Sequence, residues 1–376
     1  MTSLYLHLPF CSRWCDYCAF YSEEYPTWES WSRPYVRRLS GEIREATKTY
    51  GPFETIFLGG GNPLSLRPAD LSELLVSAGN AKEVTVEMNP ESLDDRYEPL
   101  FASGLVTRAS MGIQSLAPTL LSVLGRNSEV GANMRGIRRL MQLKERYHIQ
   151  VNFDMITCVP TESIRDAKDD IDRLLDVSDP EHLSVYSLTL EKCTPLARKV
   201  REGRLRMPDG QEQAKMLFSV WDHLASKGFE HYEVSNFAKA GAYCFHNLRY
   251  WHLEPYLGLG SHAASRLSSP DGLMEMQNSQ SLVAFAKGKG GSGYRSRILT
   301  RKEEMEEYLL TNLRTKWGVG KNTFRIRFGC SFDDVFAPAV ERIPRQWIRD
   351  GKDAFALTEE GMMVLDDVVL RLAMLV

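Results

Sequence analysis

Short runs of β-branched and aromatic residues alternate along the first 235 positions with longer stretches whose apolar residues recur every three or four positions. These are the strand and helix periodicities. Residues 3–7, 55–58, 83–87, 106–111, 149–156, 182–188 and 231–234 read as strands, and within 83–87 Val84 and Val86 fall on one face. Ser32-Arg33-Pro34 predicts a helix start, because Ser can cap and Pro tolerates the first turn. Val36, Leu39, Ile43 and Ala46 form the apolar stripe of that helix. Leu71, Leu74 and Leu75 mark a second helix, and further helices are expected near 92–101, 131–147 and 167–175. Ala214, Leu217, Trp221 and Leu224 line another, which Gly228 stops. Strand–helix alternation repeated six or more times predicts an α/β fold with a parallel sheet and right-handed crossovers. In such folds the chemistry sits at the C-terminal ends of the strands.

Composition narrows the class. The 376 residues are 43% hydrophobic and 25% charged, with a net charge of -3. A disordered chain, a fibrous repeat and a coiled coil are excluded. There is no global positive field to hold nucleic acid, so no nucleic-acid partner is expected. No apolar run approaches the ~18 residues of a membrane span, which leaves at most peripheral membrane contact. The first fifteen residues lack a basic region, and their apolar stretch is broken by His7 and Pro9. That is not a signal peptide, and the expected location is the cytoplasm, where thiols stay reduced.

The seven cysteines stand at 11, 15, 18, 158, 193, 244 and 330. The first three have the spacing C-x3-C-x2-C, short enough to turn three thiolates toward one centre. A [4Fe–4S] cluster held this way keeps one iron without a protein ligand, whereas zinc would ordinarily recruit a fourth. One strand later comes Phe57-Leu-Gly59-Gly60-Gly61-Asn62-Pro63. Glycines after a strand let backbone approach a ligand closely, although a tight turn reads the same way. Glu87, Gln114, Arg126 and Asp154 follow or end later segments of the alternation. Taken singly they are solvated charges or caps. In this order they look like ligands for a polar nucleoside, since carboxylates accept from ribose hydroxyls or an ammonium and Arg holds a carboxylate.

Together, these segments resemble the radical S-adenosylmethionine (SAM) superfamily, and within it the coproporphyrinogen III oxidase-like branch, over nearly the whole chain. Tyr5-Leu-His7-Leu-Pro9-Phe-Cys11 resembles the opening motif of that branch. The resemblance implies a partial parallel (β/α) barrel with a small C-terminal α+β domain. It divides the chain into a core with the cluster and SAM sites (1–235), an extension (236–290) and a small HemN-like or winged-helix-like domain (291–376); the glycine-rich run KGKGGSG at 287–293 reads independently as a flexible boundary. It implies Cys11, Cys15 and Cys18 as cluster ligands and Tyr17 as the aromatic beside the cluster. Tyr5, Gly61, Asn62, Pro63, Glu87, Gln114, Arg126 and Asp154 take the SAM-contact positions. Three departures fall near that pocket. Asn62 stands where the family usually has Thr, Ser128 where it has His, and 157–163 reads TCVPTES where relatives read close to GLPGQT.

Two features choose the subgroup. Oxygen-independent coproporphyrinogen III dehydrogenases carry a fourth cysteine two residues after the third, and here that position is Phe20. HemW-type haem chaperones have Phe there and an HNxxYW motif, present as His246-Asn247-Leu-Arg-Tyr250-Trp251. This subgroup implies haem as cargo and apo-haemoproteins, of the respiratory-chain or ferritin-like kind, as recipients. It leaves room for a homodimer. His246, Tyr250 and Trp251 are then expected to hold haem, since imidazole ligates haem iron and aromatic rings pack on a porphyrin face. The alternative for His246 is a hydrogen-bonded structural histidine, and for Tyr250 and Trp251 ordinary core aromatics. Two enzymatic alternatives remain open at this stage, decarboxylation of coproporphyrinogen III and anaerobic haem breakdown.

Overall fold

A computed structural model describes residues 2–126, 130–288 and 293–375 of the chain. The strands Ser3–Leu8 (β1), Thr55–Gly60 (β2), Glu83–Met88 (β3), Arg108–Gln114 (β4), Gln150–Thr157 (β5) and His182–Ser187 (β6) lie side by side in chain order, every pair parallel. Their side chains alternate in direction. Leu4, Leu6, Ile56, Leu58, Val86, Met111, Val151 and Phe153 point one way and are fully buried beneath the crossover helices. Thr85, Arg108, Ser110, Asn152, Asp154 and Ser184 point the other way, into a shared polar interior. One apolar face and one polar face explain why the strands pack helices outside and keep room for chemistry inside.

Six more strands complete a twelve-stranded sheet. On one edge Asn236–Ala238 (β8) pairs antiparallel with β6, and Glu230–Glu233 (β7) pairs antiparallel with β8 outside it. On the other, Tyr256–Leu259 (β9) pairs parallel with β1, followed by Ala264–Ser269 (β10), Gly272–Asn278 (β11) and Tyr294–Ile298 (β12), all antiparallel. Among the described residues the outermost strands β7 and β12 do not pair with each other, so the sheet is an open, partial barrel. Part of the expected boundary at 287–293 lies outside the described residues, and β12 still belongs to the main sheet. Ser128 also lies outside them.

The helix Ser32–Tyr50 buries Val36, Leu39, Ile43 and Ala46, which is the predicted stripe, and Tyr35 beside it. Ser32 does not cap it, because its hydroxyl donates to the Glu29 carbonyl and Trp31 takes the N-cap position. The helix expected near 92–101 is α-helical only over Glu98–Ala102, with short 3₁₀ turns before it. The strand expected at 106–111 instead runs from Arg108 to Gln114, with Gly112, Ile113 and Gln114 continuing it and buried like the rest. Beyond residue 300, helices and a small antiparallel sheet of Val319–Gly320, Ile348–Asp350 and Ala354–Leu357 enclose Phe324, Phe332, Phe336 and Phe355. Among the described residues no helix is long and apolar enough to cross a membrane.

Candidate cluster and SAM site

The cysteine loop leaves the C-terminal end of β1. Tyr25 N–H donates to the Cys11 carbonyl at 2.9 Å, and the Trp28 indole N–H donates to the same oxygen at 2.8 Å. Asp16 N–H donates to the Leu124 carbonyl at 3.0 Å, while the Asp16 carboxylate holds Lys199 at 2.6 Å. Gly125, at φ +64°, lies so close that a Cβ there would meet the Asp16 side chain at 2.4 Å. The loop is therefore clamped to two later segments of the barrel. Its thiols form no disulfides. Burial raises the pKa of all three, Cys11 to about 11, and the nearby Arg126 guanidinium opposes that rise.

Next to this loop runs the glycine element. Gly61 N–H donates to the Leu8 carbonyl at 3.0 Å and Asn62 N–H to the Phe10 carbonyl at 2.8 Å. A Cβ at Gly61 would meet the Phe10 backbone nitrogen at 2.7 Å, so the close approach requires glycine. The Asn62 side chain is buried, donating to Ser92 Oγ at 2.6 Å and accepting from Asn89 N–H at 3.3 Å. Pro63 opens the short 3₁₀ turn that follows.

Glu87 and Asp154 face each other's charge across the barrel. Glu87 accepts from Gly60 N–H at 3.2 Å, and burial with Asp154 nearby pushes its pKa up to about 8. Asp154 accepts from Ser110 Oγ and Asn152 Nδ2, both at 2.9 Å, and burial raises its pKa too. Arg126 is buried, donating to the Asn89 side chain at 3.0 Å and the Gly112 carbonyl at 2.5 Å. Burial raises the Tyr17 pKa, with Arg126 and Cys15 close to its hydroxyl. Gln114 is buried at φ 65°, a left-handed conformation uncommon for a residue other than glycine. The Tyr5 hydroxyl bonds His7 Nδ1 at 3.0 Å. The predicted SAM residues thus gather around the upper part of one barrel.

Glu87 and Asp154 also line an interior cavity of about 80 Å³, shared with Thr85, Arg108, Ser110, Asn152 and Ser184. Arg108, Ser110 and Asn152 are legible in the sequence as polar residues two apart in strands, Arg108 with Ser110 and Asn152 with Asp154, which such a strand aims into the barrel mouth; Thr85 and Ser184 carry no such signal.

The HNxxYW segment is the helix Phe245–Trp251, and it closes the opposite end of this space. His246 is fully buried. Its Nδ1 bonds Thr55 Oγ1 at 2.7 Å and its Nε2 bonds the Tyr250 hydroxyl at 2.8 Å. Thr55 begins β2, whereas the cysteines follow the end of β1. The structure therefore joins His246 to Tyr250 as the helical spacing predicts, but leaves neither ring nitrogen open and sets the pair at the far end from the cysteines. Trp251 packs under the Arg314 guanidinium, 4.5 Å from its ring centre. Cys244 is buried with its thiol toward Glu83 at 3.7 Å, an inert position rather than a soft ligand site.

The donor set fits the cluster that the spacing suggests. Among the described residues no three His, Cys, Asp or Glu side chains converge tightly enough for a single metal ion. Ligands of one zinc ion would lie within ~4 Å of each other. Three thiolates tied to different irons need no such convergence, and Cys11, Cys15 and Cys18 remain in one clamped loop with Arg126 beside them.

A family model described as the radical SAM superfamily matches residues 5–174, and one described as the HemN C-terminal domain matches residues 299–364. A protein named heme chaperone HemW from Lactococcus lactis is 30% identical over 376 residues, covering 97% of this chain and 96% of its own. A protein of the same name from Bacillus subtilis is 30% identical over 381 residues, covering 98% of each. The solved coproporphyrinogen III oxidase (HemN) of Escherichia coli, described as a radical SAM enzyme, superposes with a TM-score of 0.82 over 99% of this chain and 90% of that one. At 19% identity that likeness speaks for the fold alone.

Proposed function

The chain belongs to the HemW family of the radical SAM superfamily, and on that premise we propose that it binds haem as cargo and delivers it to apo-haemoproteins. The single observation that carries this reading is end-to-end similarity to relatives named heme chaperone HemW. Phe20 supports it. The ring is 77% exposed at the position where the dehydrogenases of the branch carry a cysteine.

Membership of the superfamily implies a [4Fe–4S] cluster and SAM. In this reading Cys11, Cys15 and Cys18 hold the cluster as thiolates, which requires each to lose the proton that burial favours. Such a cluster supplies one-electron chemistry at its open iron. Gly61, Asn62 and Pro63 bring backbone to the methionine end of SAM, and Tyr5 and Gln114 line the pocket. Glu87 and Asp154 face the pocket, where a cationic ligand would draw off the proton that burial favours on Glu87, with Arg126 as the counter-charge and Tyr17 beside the cluster. Respiratory-chain or ferritin-like apoproteins are the proposed recipients, and the cytoplasm is the proposed location.

Complementation of a strain lacking the oxygen-independent dehydrogenase separates this reading from the enzymatic one. No rescue is expected. Rescue would make coproporphyrinogen III the substrate and withdraw the carrier reading.

A further inference from the structure

We propose that His262 is the axial ligand through which the chain holds haem iron, on a surface formed by Phe20, Tyr21 and His262 beside the cysteine loop. This rests on the haem-carrier reading and gives it a site.

The placement follows from register. In the parallel pair of β9 with β1, Leu259 lies opposite Leu6, so His262 emerges at the same end of the barrel as the cysteine loop. Both neighbours of His262 are buried and tied down. Ser261 N–H donates to the Tyr35 hydroxyl at 2.8 Å, Ser261 Oγ donates to the Gln280 carbonyl at 2.6 Å, and Ala263 N–H donates to the Gly260 carbonyl at 3.3 Å. His262 itself has φ 58° and is only partly buried. A left-handed backbone at a residue other than glycine is costly and persists where the surroundings fix it.

The imidazole lies flat on Tyr21, with ring centres 3.7 Å apart and planes 19° from parallel. Tyr21 is fixed at three points. Its hydroxyl donates to Glu23 at 2.9 Å and accepts from Leu282 N–H at 2.8 Å, and its carbonyl lies 3.0 Å from His7 Nε2. Stacking occupies the ring face and leaves the in-plane nitrogen lone pair available to a metal. Partial burial lowers the pKa of His262, which favours the neutral ring that iron needs. Phe20, the residue before Tyr21, stands exposed and can cover porphyrin surface.

The other histidines are worse placed. His7, His182, His231 and His246 have both ring nitrogens in hydrogen bonds. His223 and His252 each have one engaged. No described residue holds the His148 ring, but His148 precedes β5, at the barrel end away from the cysteines. Among the described residues, His262 alone of the eight histidines combines an open ring with the cysteine-loop end. One exposed ligand also suits a carrier. A recipient's own ligand can bind iron from the open face, forming its bond as the iron–His262 bond breaks, with no change of oxidation state.

The test is a hemin titration of the anaerobically reconstituted full chain, comparing wild type with His262→Gly and His148→Gly. Glycine accepts φ 58°, so His262→Gly removes the imidazole without straining the loop. The expected result is a shifted Soret band and at least about tenfold weaker hemin binding for His262→Gly, with recovery on adding free imidazole, while His148→Gly behaves as wild type. Hemin binding by His262→Gly with wild-type spectrum and affinity would overturn the assignment and leave the carrier reading standing. A wild-type chain that binds no hemin would overturn both.

Discussion

Glu83 caps the helix that carries His246. One carboxylate oxygen accepts from His246 N–H at 2.8 Å and the other from Phe245 N–H at 3.1 Å, with Arg108 3.7 Å away. All three groups are buried, apart from the exposed Phe245 ring. The HNxxYW helix is thus bolted onto the N-terminal end of the barrel by β3 and β4. Replacing Glu83 by Ala leaves the Arg108 cation buried without its carboxylate. We expect a loss of about 3 kcal/mol in unfolding free energy, measured by denaturant titration, with the visible absorption of the reconstituted cluster retained. A variant as stable as wild type would show that the cap is not needed.

His246→Ala tests the same region from the other side. The substitution strands the Tyr250 hydroxyl and takes away one of the partners of Thr55. It should cost about 2–4 kcal/mol and lower the melting temperature, with hemin titration unchanged. Burial also holds the His246 pKa down to about 3. Unfolded chain takes up a proton below the ordinary histidine value that the folded chain refuses. The His246 contribution to stability is therefore present at neutral pH and declines as pH falls from about 6.5 toward 3. Hemin affinity that falls while stability holds would restore His246 as a haem ligand.

These two residues show where sequence reading stops. The His246–Tyr250 spacing places both on one helical face, and they are indeed bonded. The second partner of His246, Thr55, lies 191 positions away in the chain, so no local pattern reveals that the ring is already satisfied. The cysteine loop and the glycine element were legible because short spacings encode short-range geometry, and the parallel order of β1–β6 followed from strand–helix alternation. Arg108 and Asn152 were legible as polar residues inside predicted strands, whereas Thr85 and Ser184, which line the same interior, were missed because a lone small hydroxyl in a strand carries no pattern. His262 was passed over because one His among small residues carries no spacing, and its worth appears only from the β9–β1 register.

The cysteines give a direct prediction about the cluster. Replacing Cys11, Cys15 or Cys18 by Ala should abolish the visible thiolate–iron absorption after anaerobic reconstitution. Cys193→Ala should keep it, because that exposed thiol lies outside the ligand-spaced loop. Full absorption in any one of the three loop variants would contradict the ligand assignment.

The segment that departs from the family pattern carries its own signature. Aligned on Pro160, Cys158 and Thr161 replace family glycines, and both have positive φ, 62° and 74°. Glu162 replaces a glutamine, accepts from Val159 N–H at 2.9 Å and has its pKa raised to about 7 by burial. The folded chain keeps this proton where the unfolded chain releases it. The resulting stabilisation is complete below the ordinary carboxylate range and is lost as pH rises through about 7. Glu162→Gln should therefore gain on wild type between pH 5 and 8, by up to roughly 3 kcal/mol. Parallel stability curves for the two proteins across that range would refute the assignment.

Haem transfer by the reconstituted full chain tests the central claim most directly. The protein is loaded with hemin, separated from free hemin, and mixed with an apo-haemoprotein while the Soret band is followed. The expected outcome is that the chain retains hemin through the separation and that the band then shifts to that of the recipient's holo form. A chain that retains no hemin, or one that keeps it in the presence of an excess of a high-affinity apoprotein, would contradict it.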